Sequence, residues 1–183
     1  IAVVGEIAPG TAGQFTYDSL SSPTLGEDGT LAYTARLSGV DNDVSNQFGL
    51  FSFDGSDSDL IAATGDETPS SGTTFSFFSQ PSVNSQGAIA FSANITSEDE
   101  PFSFNDTGIY IHDSQLGLLE IAKVGDVIDV SVDPLVSDFR EISFLNTIDV
   151  GDLSTGNSRD FFNDRGQVAF LASFTDGTQV AIV

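Results

Sequence analysis

Asp54-Gly55-Ser56-Asp57-Ser58-Asp59 sets oxygen donors at alternate positions around a glycine turn, a pattern that can wrap a hard cation. Calcium takes roughly six to eight oxygens from carboxylates, amides and backbone carbonyls. Asp54, Asp57 and Asp59 therefore form one candidate metal set, and Asp149, Asp152 and Asp160 in a second polar run form another. Asp41-Asn42-Asp43 offers a third cluster. None completes the calcium-loop pattern D-x-[DN]-x-[DN]-G followed by a distal Glu. The competing reading of each run is a solvated acidic hairpin loop.

Nucleophilic chemistry has little to assemble from. The chain has one histidine, His112, no cysteine and no G-x-S-x-G elbow, so neither a thiolate nor a Ser–His triad can be traced. His112 aligns with Phe53 of an earlier segment, a position that reads as packing or a strand-end contact. Two carboxylates could hydrolyse a glycoside, but among 27 acidic residues some pair always stands at a suitable separation. Sugar stacking is thinly provided for: there is no Trp, and Tyr33 and Tyr110 occupy positions held elsewhere by Phe. Asn94-Ile95-Thr96 and Asn105-Asp106-Thr107 have glycosylation spacing and read as accidental.

The charge balance narrows the partners. Twenty-seven acids against five bases give a net charge of -22, the wrong sign for nucleic acid or an anionic membrane surface. Such a chain repels itself when compact, so bound cations or salt relieve it. No apolar run reaches the roughly 18 residues of a membrane span. Low Lys with high Asp, Ser and Gly suits an extracellular setting, and an initial Ile in place of Met reads as a processed or excised chain.

The elements that must position these residues recur. Ile1-Ala2-Val3-Val4-Gly5-Glu6 returns as Ile61-Ala62-Ala63-Thr64-Gly65-Asp66 and as Ile121-Ala122-Lys123-Val124-Gly125-Asp126, sixty positions apart each time. Asn84-Ser85-Gln86-Gly87-Ala88-Ile89-Ala90-Phe91 matches Asn163-Asp164-Arg165-Gly166-Gln167-Val168-Ala169-Phe170, with Gly26-Glu27-Asp28-Gly29-Thr30-Leu31-Ala32-Tyr33 as a looser copy. A third marker is Gly49-Leu50-Phe51 against Gly108-Ile109-Tyr110, with Ala181-Ile182-Val183 as its worn counterpart. Each unit reads as four short strands. The clearest alternates Leu31, Tyr33, Ala35 and Leu37 with smaller or polar residues, and the same face returns as Ile89, Phe91, Ala93, Ile95 and as Val168, Phe170, Ala172, Phe174. On the opposite face Ala32, Ala90 and Ala169 keep one position small, as the close approach of a neighbouring sheet requires. Asn followed three residues later by Gly is turn chemistry, so those residues are structural. No segment has capped helical periodicity.

The N-x-x-G-x-x-A-F spacing, together with I-A-x-x-G-[DE], resembles bacterial extracellular tandem-repeat proteins with the NxxGxxAF motif, the choice-of-anchor type. That resemblance covers the whole chain and implies secretion and propeller-like repeats; it brings no activity with it. Gly26 departs from the motif Asn, and no anchor segment is visible.

The expected fold is all-β and β-propeller-like: one repeat domain of three four-stranded blades over 1–60, 61–120 and 121–183, with an insertion at about 133–160 in the third. Propellers close with roughly four to eight blades, so three blades join others in a longer chain or in a homo-oligomer. The alternative is a self-contained threefold β-trefoil or β-prism. The expected function is a non-enzymatic extracellular or cell-surface scaffold or adhesion module, self-associating and calcium-stabilised. Its rival is a glycan-binding or hydrolytic propeller with its site near the insertion, where loops on one face of a repeat protein gather.

Overall fold

In a computed structural model of the chain, the described residues are 2–39, 47–97, 106–133, 135–147, 150–152, 157–159 and 161–183. Every regular element among them is a β-strand, and all pairing is antiparallel. The first sheet holds β1 (Phe15–Leu20), β2 (Thr24–Leu25), β3 (Leu31–Gly39), β4 (Gln47–Phe53) and β5 (Ser58–Ala63), in the order β1-β3-β4-β5 with β2 also beside β3. The second repeats that plan with β6 (Thr73–Phe78), β7 (Ser82–Val83), β8 (Ile89–Ser97), β9 (Thr107–Asp113) and β10 (Gly117–Lys123). The third has β11 (Val127–Asp129), β12 (Phe139–Thr147), β15 (Phe170–Phe174) and β16 (Gln179–Ile182), and β13 (Val150–Asp152) pairs with β14 (Asn157–Arg159) alone.

The alternation read from sequence is the alternation that packs. Tyr33, Ala35 and Leu37 are buried on one face of β3, and Phe91, Ala93 and Ile95 on the same face of β8. On the opposite faces Ala32 and Ala90 are sealed completely. Ala32 packs against Val83 and Ile89 of the second sheet, and Ala90 shares a cluster with Ile142, Phe170 and Phe174 of the third. A larger side chain at either alanine would hold the sheets apart. The middle of β4 and of β9 is buried on both faces (Leu50 with Phe51, Ile109 with Tyr110): β9 lies between the first and third sheets, whereas β4 has the second sheet over Leu50 and the N-terminal segment at Ala8 packed with Phe51. The second core cluster therefore joins Leu50 and Ala62 of the first sheet to Phe75, Phe91 and Tyr110 of the second.

One connector leads from sheet to sheet. Gly65 N–H donates to Phe75 O (2.8 Å) and Phe75 N–H to Asp66 O (3.0 Å). Gly125 with Ile142 and Gly5 with Tyr17 make the corresponding bonds, each at 2.8 Å. The three glycines sit at φ of 90°, 92° and 90°, a left-handed conformation that only glycine adopts without strain. Just beyond, the register slips at corresponding points, between Tyr17 and Ser19, Phe75 and Phe77, and Ile142 and Phe144.

Three expectations need correction. The first marker is a strand at 61–63 and 121–123, but Ala2–Val4 lies in none. The third marker is displaced by one residue in the last unit. Phe170 pairs with Ile182, as Tyr33 pairs with Phe51 and Phe91 with Tyr110, so Val180-Ala181-Ile182 is the counterpart. The glycine that anchors the other two copies is absent there, and its absence has a reason. In β4 and β9 the aromatic ring folds back over the glycine two residues earlier: a Cβ on Gly49 would stand 2.6 Å from Phe51 Cε2, and one on Gly108 2.6 Å from Tyr110 Cζ. The third sheet replaces both partners, with Val180 and Ile182. Finally, the insertion is divided. Asp126 to Ile142 spans 16 positions against 9 from Asp66 to Phe75, and Ile142 to Asn163 spans 21 against 9 from Phe75 to Asn84. The first excess extends a β11–β12 hairpin, and the second contains β13 and β14.

Candidate functional site

The stacking of the first two sheets leaves a polar cleft of about 620 Å³ between them. Asp54 and Asp59 reach it from the β4–β5 hairpin, Asp28 from the turn before β3, Gln86 from the turn before β8, and His112 and Ser114 from the end of β9. Ile61 and Ile89 form its apolar floor. The corresponding cleft between the second and third sheets, about 460 Å³, is lined by Ile111, Ile121, Val168, Phe170 and Ile182. One architecture thus presents an acidic cleft and an apolar one.

Of the first metal set, Asp54 and Asp59 share this cleft, whereas Asp57 does not line it. Asp54 is committed to its own turn: its Oδ1 accepts from Ser56 N–H (2.8 Å) and Asp57 N–H (3.0 Å). Those bonds to Asp57 and Ser56 hold its carboxyl below the ordinary carboxylate value. The next hairpin does the same with Asp113, whose Oδ1 accepts from Gln115 and Leu116 N–H at 2.8 and 3.0 Å. Leu116 stands there where Asp57 stands in the first, so the turn requires the leading Asp and not the second acid. Among the described residues no group of three or more His, Cys, Asp or Glu side chains is arranged to hold a metal ion. Asp152 falls in β13, while Asp149, Asp160 and the Asp41-Asn42-Asp43 cluster lie outside the described residues.

His112 opposes Ile89 as Phe53 opposes Leu31, so the alignment of His112 with Phe53 holds. Burial pushes the imidazole below its ordinary value, and Asp113 and Asp59 pull it only part of the way back. The side chain is therefore neutral at pH 7 and offers the cleft a hydrogen-bonding group beside the carboxylates. Asp28 was not singled out in the sequence. It closes its own turn by accepting from Thr30 N–H (3.0 Å) and Thr30 Oγ1 (2.8 Å), and a Cβ on Gly87 would come within 2.5 Å of its Oδ2. Asp28 and Asp59 come to one cleft through the pairing of β3, β4 and β5 within the first sheet, and the stacking of the second sheet adds Gln86 and His112, which explains why spacing did not reveal the set.

The single lysine is held elsewhere. Lys123 Nζ lies 2.9 Å from Glu120 Oε1, 3.4 Å from Asp126 Oδ1 and 3.0 Å from Ser70 Oγ. Burial pulls its pKa down, but the Glu120 and Asp126 carboxylates outweigh that and keep it above the ordinary lysine value. A firmly protonated lysine is a tie between the 68–73 loop and β10, not a nucleophile.

No curated protein and no solved structure matches the chain. A family model does, over residues 1–183, and its description is a family of unknown function. With the whole length matched, the chain belongs to that family, DUF7453.

Proposed function

We propose that this chain is a non-enzymatic extracellular scaffold or adhesion module of propeller type, its three sheets serving as successive blades. One observation carries the reading: the connector through Gly5, Gly65 and Gly125 hands the chain to the next sheet with the same pair of bonds each time, and the sheets stack face to face through sealed alanines. A propeller is built by that operation. The resemblance to NxxGxxAF repeat proteins agrees with it, as does the acidic composition. Calcium belongs to the proposal as counter-charge for the cleft of Asp28, Asp54 and Asp59.

The acidic cleft favours a second reading, an extracellular propeller that binds or hydrolyses a glycan. A glycan array and a panel of chromogenic glycosides separate the two. Binding or turnover abolished by Asp59→Asn would overturn the scaffold reading, and inert behaviour across both screens supports it.

A further inference from the structure

We propose that two copies of this chain dock head to tail, the outer face of the third sheet of one packing on the outer face of the first sheet of the other. The inference rests on the reading of the sheets as blades and names their partner.

The chain contains this interface twice and leaves part of each half uncovered once; in the first sheet Tyr33, Leu37 and Phe51 are already packed with Ala8 of the N-terminal segment, and the open part lies around Leu20 and Leu25. Leu25, Val83 and Phe162 occupy corresponding positions, opposite Leu31, Ile89 and Val168. Val83 is 7% exposed and Phe162 4%, each covered by the preceding sheet, whereas Leu25 is 66% exposed. Leu20 is 38% exposed where Phe78 is 2%. Beside them Leu20, Pro23, Leu31, Tyr33 and Phe53 line an apolar hollow of about 170 Å³. The third sheet shows the complementary defect. Ala32 and Ala90 are sealed by the following sheet, but Ala169 at the same position is partly open. Leu50 and Ile109 are likewise sealed, and their counterpart Ala181 is exposed.

The interior copies supply the register. Ala32 packs on Val83 and Ile89, which sets Ala169 on Leu25 and Leu31 of the second copy. Thr64 N–H donates to Phe48 O (2.8 Å) and Val124 N–H to Thr107 O (3.0 Å), which places the second copy's Val4 N–H on Gln179 O. Val3 and Val4 are exposed in the single chain. Charge agrees as well. Neighbouring turns touch at the interface of the second and third sheets, through Ser85 N–H on Asp164 Oδ1 (2.8 Å) and Asn84 Nδ2 on Asn163 O (3.4 Å), and the turns of the first and second sheets approach closely at Gly26 with Asn84 and Gly87 with Asp28. The same placement sets Asp164 against Glu27 of the second copy and brings Arg165, which makes no ion pair among the described residues, beside Glu27 and Asp28, where it offsets the facing acids. A heterologous contact of this kind closes a ring or runs on as a filament. Two copies supply six sheets, within the range of about four to eight at which propellers close.

The test is light-scattering mass of the 183-residue chain with three sets of variants. The parent is expected at twice its 19.2 kDa. Ala169→Arg at the tail and Leu25→Arg at the head each fall to the single-chain mass while keeping the parent's circular dichroism and a cooperative melt, lowered by the loss of association. An equimolar mixture of the two regains doubled mass, because one intact head meets one intact tail. A monomeric parent, or a doubled mass that survives either substitution, overturns the proposal. Ser85→Cys with Asp164→Cys, in a chain that has no cysteine of its own, reports on the internal stacking. A monomer that cross-links internally loses the docking and keeps the blades, and a chain that fails to cross-link loses the blade reading itself.

Discussion

The exchange of Gly108 and Tyr110 for Val180 and Ile182 in the third sheet implies that these two positions are energetically coupled, and a double-mutant cycle measures the coupling. In Gly108→Val the new Cβ meets the Tyr110 ring at 2.6 Å from Cζ, so the ring must leave its place. It then gives up an edge contact with Phe75 at 5.0 Å and a stacked contact with Phe91 at 5.5 Å between centroids. Overpacking costs about 1–3 kcal/mol and each of the two ring contacts about 0.5–1.5 kcal/mol, so a loss of about 2–6 kcal/mol is expected. Tyr110→Ile alone removes ring volume from a fully buried site and costs roughly 2–3 kcal/mol, below the range for truncating an aromatic to alanine. Together the valine occupies space the ring has vacated, as in the third sheet. The double variant is expected to lose only about 2–4 kcal/mol, a favourable coupling of roughly 2 kcal/mol or more. Urea midpoints at unchanged slope give each corner of the cycle, and Tyr110→Phe, which copies Phe51, accounts separately for the hydroxyl. Additive losses within about 0.5 kcal/mol would refute the claim that the ring over the glycine decides which pair each strand carries.

Further outcomes follow from the connector, the cleft and the charge. Gly125→Ala forces a side chain to φ +90° with nothing else in its way, so backbone strain alone should cost about 1–2 kcal/mol and lower Tm by roughly 2–8 °C; an unchanged Tm would mean the turn relaxes freely. Because burial depresses the folded-state pKa of His112, the unfolded chain takes up that proton first. Stability from this group is present above the unfolded value of about 6.5 and is lost as pH falls from there toward the lower folded pKa. His112→Phe should therefore flatten the fall in Tm between about pH 7 and 5.5, a window above the carboxylates, and equal slopes in parent and variant would contradict the assignment. Asp54→Ala should lower Tm more than Asp57→Ala, since only Asp54 holds its turn together. Millimolar calcium should raise Tm beyond sodium chloride of matched ionic strength; equal rises would leave screening of the -22 charge as the whole effect and remove calcium from the proposal.

The local choices were legible because they depend on neighbours along the chain. Period-two alternation from Leu31 to Leu37 and from Ile89 to Ile95 admits one pleated solution with its large face inward, and Ala32 and Ala90 mark the close approach by their size. Gly65 and Gly125 before an acid marked the turn, because a left-handed residue must be glycine or strained. Composition set the acidic balance of the chain. What lay beyond sequence was every relation between units. The one-residue displacement at Val180-Ala181-Ile182 is set by pairing across a hairpin, and the Gly-to-Val exchange erased the letter that would have shown it. The cleft joins Asp28 and Asp59 of the first sheet to His112 only because the second sheet stacks on the first. Asp54, a metal-ligand candidate in the sequence, is also the cap of its own turn, since its Oδ1 accepts from the backbone N–H groups of Ser56 and Asp57. Alternation along a strand is decided within a few residues, whereas the neighbours across a sheet face are decided by packing between segments about sixty positions apart, and no short window of sequence contains both.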